Sequence, residues 1–147
     1  MMTTRRISPT VRQAVRQRAS FCCEYCYSQE KRCPDPLSVE HIFPRASAGA
    51  DDDANLALAC QGCNGRKHVA VSAIDPVTER EVPLYHPRRD VWDDHFAWSV
   101  GFTEIIGKTA TGRATVARLQ LNRESLINLR TVLRSVGKHP PVISKAL

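Results

Sequence analysis

The sequence predicts a single α+β domain, 1–147, and three observations carry that expectation. A helix-initiating Ser8-Pro9 precedes an amphipathic run. Two Cys-x-x-Cys pairs, 23/26 and 60/63, bracket two short extended segments and open a helix. A longer run with apolar residues at helical spacing closes the chain.

From Ser8 to Ala19 the chain reads as a helix. Val11, Ala14, Val15 and Arg18 lie on one face, and Arg12 and Arg16 share another at i,i+4 spacing. Leu37 to Ile42 reads as a short strand, and Asn55 to Ala59 as a second. A loop with Gly49 and the run Asp51-Asp52-Asp53 joins them, and that run reads as a solvated tip. The second cysteine pair then leads into a helix over about Asn64 to Val71. The compact core spans about 20–71, and an extension covers about 72–147. Residues 72–90, with Asp75-Pro76, Pro83 and His86-Pro87, read as a surface connector. Asp94 to Val100 and Glu104 to Gly107 suggest a hairpin, with Trp92, Phe96 and Trp98 as a satellite core. Thr111 to Leu121 and about 122–136 read as helices. In the last helix Leu126, Leu129, Leu133 and Val136 form the apolar face, and Arg130, Arg134 and Lys138 a basic one.

Composition excludes several classes. No apolar run approaches the roughly 20 residues that cross a bilayer, and the N-terminus has no apolar core after its arginines, so a cytoplasmic location is expected. The net charge of +6 suits a polyanionic partner. No acidic residue precedes Glu24 or follows Glu124, so both ends are locally basic: nucleic-acid contact or a solvated face.

Six cysteines are many for a reducing compartment, and their pairing at Cys-x-x-Cys spacing argues for metal over disulfides. Each pair lets two thiolates hold one ion from a tight turn. Cys23, Cys26, Cys60 and Cys63 together make a four-sulfur structural site, and soft thiolates in tetrahedral array suit zinc. Cys22 falls to packing, and Cys33 stands outside both pairs.

Between and after the pairs lie Val39-Glu40-His41-Ile42-Phe43-Pro44, Asn55-Leu56 and Asn64-Gly65-Arg66-Lys67-His68. Phosphodiester cleavage needs an activated water and charge stabilisation at phosphate. A histidine can take the water's proton, and His41 is the candidate base. Glu40 offers a carboxylate to a divalent ion or orients His41. Asn64 offers an amide oxygen to the ion or caps the helix. His68, four residues on, shares a helix face with Asn64.

This ordered layout, from Cys23 to His68, resembles the cysteine-containing HNH endonucleases with their ββα-metal core. The resemblance implies a metal-dependent endonuclease acting on DNA. It implies His41 as general base, and Glu40 and Asn64 as ligands of a catalytic Mg²⁺, Mn²⁺ or other divalent ion. His68 matches a further ligand, and Asn55 the residue that holds the loop between the strands. Arg45, Arg66, Lys67, Arg88 and Arg89 are candidate phosphate contacts. The C-terminal helix offers a surface for a homodimer. The main alternative is a non-catalytic zinc-stapled nucleic-acid-binding module; a toxin-type effector nuclease is a third reading.

Overall fold

The computed structural model describes residues 7–44 and 51–143. Ser8 caps the first helix, α1 (Pro9–Arg18), its Oγ accepting from the Val11 amide at 3.2 Å, and proline takes the first helical position. Arg16 and Arg18 stand in the last turn, where cations complement the helix dipole. Both also reach other parts of the chain. Arg16 holds Glu30 at 3.2 Å and the Leu37 carbonyl at 2.9 Å. Arg18 holds the Asp53 and Leu56 carbonyls at 3.1 and 2.8 Å. The basic N-terminal stripe is therefore partly spent inside the fold.

Strand β1 (Ser38–His41) pairs antiparallel with β2 (Leu56–Ala59), matching Glu40 to Ala57 and His41 to Leu56. All four β2 residues are buried, which explains its unbroken small and apolar sequence. In β1 the pleat sends successive side chains to opposite faces: Glu40 is buried and His41 partly exposed. The free edge of β2 is covered by the first cysteine turn. The Glu24 amide donates to the Leu58 carbonyl at 2.9 Å, and the Leu58 amide to the Glu24 carboxylate at 2.8 Å.

Helix α2 (Gln61–Lys67) starts and ends earlier than the sequence suggested. Cys60 is its N-cap, its sulfur accepting from the Cys63 amide, so the capping role open to Asn64 is taken. The helix stops at Lys67 because His68 turns to φ 50°.

The stretch read as a surface connector contains a hairpin, β3 (Ser72–Ile74) with β4 (Glu81–Pro83). Its turn is pinned by Asp75. That fully buried carboxylate accepts two hydrogen bonds from Arg113, at 2.9 and 2.8 Å, and further ones from the Val77 and Thr78 amides. Short α3 (Trp92–His95) leads into the expected hairpin, β5 (Phe96–Trp98) with β6 (Ile105–Gly107). Helix α4 (Ala110–Leu119) packs against it so closely that a Cβ at Gly112 would collide with the His95 carbonyl.

In α5 (Glu124–Ser135) Leu126 is buried as expected, but so is Arg130, at 3% exposure. Arg130 donates to the Thr103 and Leu121 carbonyls at 2.9 and 2.7 Å, while Val136 is exposed. The basic stripe of this helix thus lies partly in the core. Trp92, Phe96 and Trp98 are not a satellite. Trp92 stacks on Tyr27 at 4.4 Å and donates from Nε1 to the Tyr25 carbonyl, joining the extension to one continuous core with Val15, Leu56, Leu58, Leu119 and Leu126.

Candidate metal centre and catalytic site

Two tight turns bring the cysteines together. In the first, the Cys23 amide donates to the Ser28 carbonyl and the Tyr27 amide to the Cys23 carbonyl, with Tyr27 at φ 62°. The second is the Cys60 cap and first turn of α2. The sulfurs of Cys23, Cys26, Cys60 and Cys63 all lie within 4.8 Å of one another, and all four residues are buried. A tetrahedral ion with metal–sulfur bonds of about 2.3 Å requires sulfur–sulfur edges of about 3.8 Å. The Cys26–Cys60 separation is 3.7 Å, so the donor set fits such an ion. Hydrogen bonds from the other three sulfurs hold the Cys60 thiol below its ordinary range. Cys22 is buried, its thiol on the Ser20 carbonyl, and Cys33 is half-buried.

The sequence reading missed one member of this centre. Arg123, at the start of α5, directs its guanidinium to the sulfurs of Cys60 and Cys63 at 3.5 and 3.7 Å. Burial opposes its charge, and Cys63 and the neighbouring sulfurs outweigh that. Gly62 leaves the room: a Cβ there would collide with the guanidinium. Nothing in local sequence connects residue 123 to residue 60; only the packing of α5 does.

His41 lies at the end of β1, and its Nε2 is 2.6 Å from Asp51 Oδ1. Asp51 is therefore not the solvated tip that its acidic run suggested. The strand register ends with His41 opposite Leu56, and the tight turn Asp53–Asn55 just before β2 folds Asp51 back towards the imidazole. With Nε2–H donating to the carboxylate, Nδ1 keeps the lone pair that can accept a proton. Asn55 is buried. Its Oδ1 accepts from the Phe43 amide at 2.7 Å and its Nδ2 donates to the Phe43 carbonyl at 2.9 Å. It clamps the chain two residues beyond His41 to the start of β2.

Glu40 faces the other way. It is 6% exposed, accepts from the Tyr25 hydroxyl on one oxygen, and pairs with Lys67 Nζ at 3.2 Å on the other. Burial raises its carboxyl above the usual range, with Lys67 and Tyr25 working against that. Lys67 is 1% exposed and also donates to the Ile42 carbonyl at 2.9 Å, so its ammonium is engaged by acceptors within the fold. Asn64 is half-buried on α2, and His68 is exposed beyond the helix end, so the shared helix face expected for them is interrupted at His68. Each Glu40 oxygen already accepts from one protein donor, Tyr25 on one and Lys67 on the other, and the group is buried. Among the described residues the four cysteines are the one group of three or more His, Cys, Asp or Glu side chains placed to hold a metal.

The candidate phosphate contacts also divide. Arg66 is half-buried, bonded to the Gly62 carbonyl at 3.2 Å. Arg88 pairs with Glu24 and is mostly covered. Arg89 is exposed. Arg45 lies outside the described residues.

This is a four-sulfur knuckle folded onto a strand pair and helix, with a carboxylate-supported histidine on the strand. Residues 23–70 match the family model described as HNH endonuclease, and that segment contains the whole sulfur cluster. No curated protein matches the chain, and no solved structure does. Among the described residues no helix is long and apolar enough to cross a membrane.

Proposed function

We propose that this chain is an endonuclease that hydrolyses phosphodiester bonds of DNA. In this reading zinc occupies the four-sulfur centre and takes no part in the reaction. It fixes the first turn against β2 and α2 against both, and metal binding of this kind contributes directly to folding. His41 Nδ1 takes the proton of the attacking water. Asp51 holds the imidazole in that tautomer and stabilises the cation that forms. Asn55 is a brace that fixes the loop after His41. Glu40, through Lys67, ties β1 to the end of α2 and so sets where Asn64 and His68 stand. A divalent ion such as Mg²⁺ or Mn²⁺ would supply a Lewis acid on the phosphate. Asn64 and His68 are the expected ligands on the α2 side, and Glu40 joins them by sharing or exchanging its bond to Lys67.

The observation that carries the reading is the His41–Asp51 pair within a segment matching the HNH family model. A module that only binds nucleic acid has no need of a carboxylate-oriented histidine, which is why catalysis is favoured over the zinc-stapled binding reading. The test is nicking of supercoiled plasmid by zinc-loaded protein with Mg²⁺ or Mn²⁺. Wild type should convert plasmid to open circles, and His41→Ala should lose at least about 100-fold, the usual scale of general-base loss. Equal cutting by His41→Ala, or no cutting by folded wild type with any divalent metal, would refute it.

A further inference from the structure

Beside the loop that follows His41 lies a cleft of about 420 Å³. One wall is Ile42 and Phe43 from that loop. The other is Leu84, Tyr85, His86 and Arg89 from the extension, which takes no part in the chemistry proposed for His41. Three side chains in it have the chemistry of a binding site.

Phe43 is 40% exposed, although its backbone amide and carbonyl are both held by Asn55. A large aromatic whose backbone is fixed and whose side chain is open to a cleft offers a face on which a planar group can stack. His86 is 9% exposed, and its Nδ1 is fully used, accepting from the Arg88 and Arg89 amides at 3.1 and 3.2 Å. A ring nitrogen that accepts cannot carry the proton, so in the neutral ring the hydrogen sits on Nε2. Burial, then Arg89, hold this imidazole below its ordinary value, which favours the neutral ring. Its Nε2–H has no partner among the described residues. The Arg89 guanidinium is exposed at the rim and likewise has no hydrogen-bonding partner among the described residues.

An apolar cleft with one open aromatic face, one fixed donor and one free guanidinium matches a nucleotide: a base to stack, an acceptor on its edge, and a phosphate. Phe43 is two residues past His41, and two residues of chain span at most about 7 Å. The cleft thus adjoins the proposed cleavage site along the chain, and Lys67, which pairs with Glu40, and Asp90 complete its lining. We propose that it binds one unpaired base of the DNA strand being cut, stacked on Phe43, accepting a hydrogen bond from His86 Nε2–H, with Arg89 on its phosphate. A purine N7 or a carbonyl oxygen would serve as the acceptor. The proposal rests on the nuclease reading, and it gives that site a preference for a strand in which a base can leave the stack.

The experiment is an abasic scan. Fluorescent single-stranded oligodeoxynucleotides of about 12 nucleotides, within the span of a single-strand site, carry one abasic position, moved stepwise. They are bound to His41→Ala protein, which leaves them uncut. One position should lower affinity about tenfold, the scale of losing one base–aromatic stack. Adding Phe43→Ala should cost the same with the intact strand and nothing more at that position. Phe43→Trp should restore the position's effect. His86→Asn keeps an acceptor for the two amides but, being shorter, places no N–H where Nε2 stands, and should abolish discrimination between bases. If that variant does not fold, Phe43→Ala and Arg89→Gln, at exposed positions, still decide. A flat scan, or losses from Phe43→Ala and the abasic site that add, would overturn the base site while wild type still nicks plasmid. Wild type that neither binds nor cuts DNA would overturn the nuclease reading with it.

Discussion

Replacing Lys67 by Met removes the ammonium that faces Glu40 and keeps most of the side-chain volume. The two side chains are 2% and 4% exposed, so solvent screens their interaction little. Leaving one partner of a buried pair uncompensated costs about 3–5 kcal/mol. The loss should depend on pH, because the abandoned carboxylate escapes the penalty by protonating. Burial already raises the Glu40 carboxyl, and without Lys67 it rises further above its unfolded value of about 4.3. The penalty is therefore absent below about pH 4 and grows as pH rises towards the folded value, by about 1.4 kcal/mol per unit. At pH 5 the carboxylate costs about 1 kcal/mol, and the lost bond to the Ile42 carbonyl about 1 more. At about pH 8 the full cost of about 3–5 kcal/mol applies, a fall in Tm of roughly 10 °C for a chain of this size. Urea unfolding of zinc-loaded variant and wild type at both pH values measures the difference, and contributions from the sulfur centre cancel. A Lys67→Met protein that loses less than about 1 kcal/mol at both pH values would refute the inward-facing pair. So would a large stabilisation of wild type by Mg²⁺ that Glu40→Gln abolishes.

Asn55→Ala should cost about 2–3 kcal/mol, the two hydrogen bonds to Phe43, and should slow plasmid nicking while leaving zinc content unchanged. Arg123 places its positive charge against the sulfur centre from outside the ligand set. Arg123→Met should lower zinc affinity about 10- to 100-fold, read as release to a chromogenic chelator, and unchanged release would refute its part there. The Arg113 guanidinium holds the Asp75 carboxyl well below its ordinary value. The stability it contributes is thus present above about pH 4 and lost as pH falls towards that lowered value. Acid unfolding should be steeper below about pH 4 in wild type than in Asp75→Asn, and identical acid limbs would count against the pair.

What could be read from the sequence was what local spacing determines. The two cysteine pairs declared the metal centre, Ser8-Pro9 the start of α1, and the run around Glu40-His41 the first strand. Residues whose role depends on distant packing were not legible. Asp51 looked like solvated charge because its partner stands ten residues earlier and meets it only through the turn that precedes β2. Lys67 and Arg130 looked like surface cations because charge usually stays outside, and each is buried against acceptors that sequence does not announce. The β3–β4 hairpin was hidden by strands of three residues, one ending in Pro83, where turn signals outweigh any alternation. The end of α2 was overrun because no glycine or proline marks it, only the backbone of His68.

The indole of Trp92 links two distant parts of the chain, donating to the carbonyl of Tyr25 between Cys23 and Cys26 while stacked on Tyr27. The chain has only two tryptophans, and Trp98 lies against the first, with ring centres 5.6 Å apart. Both tryptophans therefore report on the cysteine turn. Emission colour and quenching should track the loading state of the sulfur centre without any label, so metal release, unfolding and reassembly can be followed optically in the unmodified protein.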